Sequence, residues 1–154
     1  IVLNGRIVND SMGRFVADAA IKNMIAVGQS PKKSKVVILG LTFKENCPDT
    51  RNSKVDDIIK RLNEFEIYPV IVDPWANESD AMHEYGVTLT KLENIKGADC
   101  IIVAVAHNEF KALKLDDIKK LYRECADKEK VLLDVKGIYK VEELNKSGIK
   151  YWRL

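Results

Sequence analysis

Two short stretches of this chain are apolar at every position, 36–39 (Val-Val-Ile-Leu) and 100–106 (Cys-Ile-Ile-Val-Ala-Val-Ala). A strand with no polar alternation has no side to give to water, so it must be covered on both faces, which is the situation of a parallel sheet clad by helices. Amphipathic segments alternate with such runs. After the first, Ser53 can cap a helix whose Val55, Ile58, Ile59 and Leu62 recur at helical spacing, and 68–72 reads as a strand stopped by Asp73-Pro74. A short helix at 81–85, a short strand at 87–89 and the long strand at 100–106 follow. Leu115, Ile118, Lys119, Leu121 and Tyr122 suit a further helix, and 131–135, 141–145 and 149–152 complete the pattern as strand, helix and strand. The expectation is an α/β fold with a Rossmann-like doubly wound, mostly parallel sheet.

A long helix precedes this body. Asn9 or Asp10 can cap it, Met12, Phe15, Val16 and Ala19 form its apolar stripe, and Gly28 stands near its end. Ser30-Pro31-Lys32-Lys33 is a break with turn chemistry, which divides the chain into a linking helix, 1–30, and a compact domain, 31–154. The two parts are expected to be separable, with part of the stripe facing another domain or subunit.

With 154 residues, 46% hydrophobic and 31% charged, the chain has the size and composition of one globular domain. Its 25 basic and 23 acidic residues are interspersed, which argues against a nucleic-acid surface. Cys47, Cys100 and Cys125 are odd in number and form no CxxC pair, so no disulfide framework or metal site is expected and a reducing cytoplasm fits. No apolar run reaches membrane-spanning length. The first residue is Ile1 rather than Met, which points to a piece of something longer.

Ligands of open α/β sheets bind beyond the carboxyl ends of the strands. Of the loops found there, 40–52 is the richest in chemistry. Lys44 and Arg51 offer two cations near a helix N-terminus, a setting for phosphate, and Phe43 offers a flat face for a base or sugar ring. Lys136 adds a positive charge to the same rim. The competing reading is a solvated loop in which Asp49 and Arg51 pair with each other. Asp73 stands where a dinucleotide-binding domain places its ribose-binding acid, but Gly40 is followed by Leu, Thr, Phe and Lys instead of further glycines, so Asp73 reads as a turn-former with Pro74. Cys47, near two cations, is a candidate nucleophile without a base close in sequence. Cys100 and Cys125 read as core or helix-face residues, and His83 and His107 as surface or hydrogen-bonding histidines.

The string 39–53, Leu-Gly-Leu-Thr-Phe-Lys-Glu-Asn-Cys-Pro-Asp-Thr-Arg-Asn-Ser, resembles the opening of the C-terminal UDP-binding domain of the UDP-glucose/GDP-mannose dehydrogenase family. Val-Asp-Pro at 72–74, Ala-Val-Ala-His-Asn-Glu-Phe at 104–110 and Leu-Asp-Val-Lys-Gly at 133–137 look like its later segments, and 4–13 like its linking helix. Glu-Asn-Cys-Pro-Asp is most like the enzymes acting on UDP-N-acetylhexosamines. The resemblance implies substrate binding by Phe43, Lys44 and Lys136, and a contact from Arg51 to NAD held mainly by an N-terminal domain. It implies no catalytic residue in this chain, which alone should be inactive. It also implies a parent homodimer, joined through central helices, that oxidises a UDP-N-acetylhexosamine to its uronic acid for surface polysaccharide precursors. Two other readings stand beside it: a free-standing nucleotide-binding or regulatory module, and a small enzyme built on Cys47.

Overall fold

The computed structural model describes residues 2–154, with side chains described from Met12 onward. The elements run α1 (Val2–Ala26), β1 (Val36–Leu39), α2 (Val55–Glu64), β2 (Val70–Val72), α3 (Glu78–Tyr85), β3 (Cys100–Val103), α4 (Asn108–Lys111), α5 (Leu115–Lys119), β4 (Val131–Asp134), α6 (Val141–Ser147) and β5 (Lys150–Arg153). The strands form one sheet in the order β2-β1-β3-β4-β5. Every pairing is parallel, so the expected mostly parallel sheet is parallel throughout among the described residues.

The apolar runs are buried on both faces. Val36 and Ile38 of β1 and Ile102 of β3 point to the side covered by α1, α2 and α3. Val37, Leu39, Ile101 and Val103 point to the side covered by α4, α5 and α6 through Phe110, Ile118 and Leu144. Helix α2 buries Val55, Ile58, Ile59 and Leu62 on one stripe, with Asp56 and Asp57 in its first turn and Arg61 in its last, the order its macrodipole favours. Each of those four side chains contributes roughly 1.5–3 kcal/mol by leaving water.

Several local expectations are corrected. Helix α1 begins at Val2, so Asn9 and Asp10 lie within it and do not start it; their side chains are outside the described residues. Ser53 is not the cap of α2: Lys54 holds that position with no side-chain cap, and the Ser53 hydroxyl accepts instead from Val55 N at 3.2 Å. Leu89 makes one isolated bridge to Ile71 rather than a strand at 87–89, because the segment turns away after that pair. Helix α1 does not stand apart from the body either. Val16, Ala17, Ala20 and Met24 join the core, and a Cβ on Gly13 would lie 2.5 Å from Asp57 Cβ, so the two helices cross where the side chain is smallest. Phe15 remains 54% exposed and meets the Trp152 ring at 5.7 Å.

Candidate ligand site

The chain leaves β1 for β2 on one side and later returns to β3 on the other, so the strand order reverses between β1 and β3. At such a switch point the two outgoing loops diverge and leave a crevice beyond the strand ends. Gly40 and Val105 form its floor. The backbone N–H groups of Ala104 and Val105 both donate to Leu39 O, at 2.9 and 3.2 Å, which draws the second loop over the first.

In this crevice lies a cavity of about 90 Å³ lined by Thr42, Phe43, Lys44, Lys54, Ala104 and Lys136 among others. The structure thus brings Phe43, Lys44 and Lys136 together, although Lys136 is 92 residues further along the chain than Lys44. Lys54, at the cap of α2, is a third lysine that the sequence reading did not single out. None of the three forms an ion pair among the described residues, so the crevice carries uncompensated positive charge apart from the nearby Glu45. Phe43 is 53% exposed at its edge. The turn bearing Lys136 is built by Asp134, which is fully buried and accepts from Ile138 N at 3.0 Å and Tyr139 N at 2.9 Å.

Arg51 lies elsewhere. Its guanidinium makes a two-pronged pair with Asp49, Nε to Oδ1 at 3.0 Å and Nη2 to Oδ2 at 3.1 Å, and it does not line the cavity. The pair raises the Arg51 pKa and lowers that of Asp49, in both cases chiefly through the side-chain hydrogen bond. Cys47 is partly buried and makes no hydrogen bond among the described residues. Cys100 is a core residue whose thiol pKa burial pushes far up.

Beneath the crevice is a buried polar network. Asp73, at the end of β2, accepts from Leu41 N at 2.6 Å and Thr42 N at 3.0 Å through Oδ2, and from Trp75 N at 2.8 Å and Ala76 N at 3.1 Å through Oδ1. It therefore forms the expected turn, and it also braces the Phe43-Lys44 loop. His107 Nε2 lies 3.0 Å from the same Oδ2. Burial works against the Asp73 charge, yet the hydrogen bonds from His107, Leu41 and Thr42 outweigh it and hold the carboxyl below its usual range. His107 is wholly buried, not a surface residue. Its pairing with Asp73, 34 residues earlier, has no signature in local sequence.

Two larger hollows lie outside this crevice. One of about 360 Å³ beyond β2 is rimmed by Glu78 and Glu109 with Lys91 as its single cation, and one of about 660 Å³ between α5 and α6 is lined by Lys111, Lys114, Lys119 and Lys146 with Asp116 and Glu143, but by no residue of the family-like string 39–53. Among the described residues no group of His, Cys, Asp and Glu could hold a metal, and no helix is long and apolar enough to cross a membrane.

Fold and site together define a doubly wound α/β domain with a cationic crevice at its switch point. Residues 37–141 match the model of the UDP-glucose/GDP-mannose dehydrogenase family, UDP binding domain, and the chain belongs to this family. It is 44% identical over 136 residues to a UDP-N-acetyl-D-glucosamine 6-dehydrogenase of Pseudomonas aeruginosa, covering 88% of this chain and 31% of that protein. It is 36% identical over 154 residues to protein CapL of Staphylococcus aureus, covering all of this chain and 35% of CapL. The chain thus spans about a third of the length of these curated relatives. In fold it is similar to the crystal structure of NDP-N-acetyl-D-galactosaminuronic acid dehydrogenase from Methanosarcina mazei Go1, with a TM-score of 0.85 at 24% identity over 98% of this chain and 30% of that one.

Proposed function

We propose that the chain is the UDP-sugar-binding domain of an NAD-dependent nucleotide-sugar 6-dehydrogenase that oxidises a UDP-N-acetylhexosamine to its uronic acid, in the cytoplasm and for surface polysaccharide precursors. Residues 31–154 form the binding domain, and 1–30 the segment, carrying α1, that links it to the rest of the enzyme and to a second copy in a homodimer. The observation that carries the reading is the convergence of Phe43, Lys44 and Lys136 on one cavity within the span that matches the family. Lys44 and Lys136 neutralise the diphosphate, and the ring of Phe43 flanks a sugar or base. A cavity of about 90 Å³ is well below the roughly 300–1,000 Å³ of a complete small-molecule site, in keeping with a site of which this domain supplies one wall.

The domain's own residues do not fit NAD. The amides of Leu41 and Thr42, which would have to face a pyrophosphate, are occupied by Asp73, and that carboxylate is turned inward and away from any ribose. NAD, when bound by another part of the enzyme, supplies the hydride acceptor, and the exposed Arg51 is the residue here that can reach toward it. Following amide resonances during a UDP titration tests the reading. Shifts confined to 40–54, 104–107 and 136–137 are expected, and saturable shifts confined to the α5–α6 hollow would overturn it.

A further inference from the structure

We infer that His107 is a positioning residue: a buried, neutral imidazole that clamps the loop carrying Phe43 and Lys44 to the ends of β2 and β3, and thereby sets that loop's affinity for an anionic nucleotide. The clamp is a property of this chain alone; only its effect on affinity rests on the UDP-binding reading.

Both ring nitrogens are committed. Asn46 N donates to Nδ1 at 2.9 Å, so Nδ1 carries no proton, and in a neutral ring the proton sits on Nε2. Nε2 faces Asp73 Oδ2 at 3.0 Å and Thr42 Oγ1 at 3.2 Å. The Thr42 hydroxyl gives its own proton to Lys44 O at 3.0 Å, which leaves its lone pairs toward the ring. One imidazole therefore grips the chain at residues 42 and 46, on either side of Lys44.

The grip is reciprocal. Asn46 adopts a left-handed φ of +55°, a conformation its short amide tolerates, and its Oδ1 accepts from Asn108 N at 2.9 Å, at the start of α4. The ring itself is fixed between Trp75, nearly parallel at 6.1 Å, and Phe110, tilted at 5.5 Å. Without the imidazole, Asn46 N–H loses its acceptor and Asp73 loses a donor, so the segment between Thr42 and Asn46 is released while the strands below remain packed. Lys44 is exposed and makes no ion pair of its own among the described residues, so its backbone anchorage is what places it.

The test combines three measurements on the chain. Long-range ¹H–¹⁵N correlation spectra should place the His107 proton on Nε2. In His107→Gln, hydrogen exchange at the Asn46 and Asn108 amides should accelerate at least tenfold while Ile102 in β3 is unchanged, and the Kd for UDP should rise at least fivefold. Thr42→Val should weaken UDP similarly, and Thr42→Ser, which keeps the hydroxyl, should restore affinity to within twofold. A proton on Nδ1, or unchanged Asn46 exchange in folded His107→Gln, overturns the clamp. If His107→Gln does not fold, equal UDP affinity in the two Thr42 variants overturns the link to binding. If the unmodified chain does not bind UDP, the functional reading fails by itself, and the tautomer and exchange still decide the clamp.

Discussion

A Cβ added to Gly40 would sit 2.5 Å from Val105 Cβ and 2.8 Å from Val105 N. The two loops that open the crevice thus touch at the one place where a side chain is missing, and Gly40 also holds φ at +110°. Gly40→Ala must both strain the backbone, at about 1–3 kcal/mol, and push back Val105, at a similar cost. We expect its urea midpoint to fall by the equivalent of roughly 2–6 kcal/mol with an unchanged m-value. Stability equal to the parent would show that the loops are free to separate.

Asp73 ties acid stability to the same crevice. Its folded-state pKa lies below the unfolded value of about 3.9, so the stability it contributes is present above that value and is lost as pH falls through the folded pKa. Between pH 5 and pH 2 the urea midpoint should therefore drop, and Asp73→Asn should drop less steeply from a lower starting point. Asp49 and Asp127 are shifted in the same direction, but both carboxylates are partly exposed, so solvent and salt screen them more than the buried Asp73. Parallel acid limbs in the parent and Asp73→Asn would contradict the assignment.

What could be read from residues alone follows from distance along the chain. The wholly apolar run at 36–39 is a buried parallel strand and that at 100–106 contains one, which ends at Val103 rather than at 106, and the α2 stripe marks its covered face, because each pattern lies within a few residues. Phe43, Lys44 and Lys136 were legible through strand-end position and family resemblance, and one cavity gathers them. The partnership of His107 with Asp73 and Asn46 joins residues 34 and 61 apart and leaves no local trace. Lys54 carries no signal in the sequence: Asn-Ser-Lys-Val points to Ser53 as the cap, whereas Lys54 holds that position and lines the cavity.

Arg51 separates two roles within one loop. Its side chain is 77% exposed and held by Asp49 outside the cavity, so Arg51→Ala should leave UDP affinity and melting temperature close to the parent's. In the enzyme that contains this domain, the same substitution should weaken NAD binding or domain closure. A Kd for UDP raised as much as by Lys44→Ala would place Arg51 in the substrate crevice instead.

The chain by itself should form no NADH from any UDP-N-acetylhexosamine. The first amides of the loop after β1, those of Leu41 and Thr42, are taken by Asp73, and Cys47 makes no hydrogen bond that would activate it among the described residues. Steady absorbance growth at 340 nm, abolished by Cys47→Ala, would revive the reading of a small enzyme built on that thiol.

In the proposed function Lys44 meets the anionic part of a UDP-sugar. Calorimetric titration of UDP into the parent and Lys44→Ala, each checked for an unchanged melting temperature, tests it directly. Loss of one charge-assisted hydrogen bond is worth about 1.5–3 kcal/mol, so the Kd should rise roughly 10- to 100-fold. An unchanged Kd in the folded Lys44→Ala protein would remove Lys44 from the site and contradict the account.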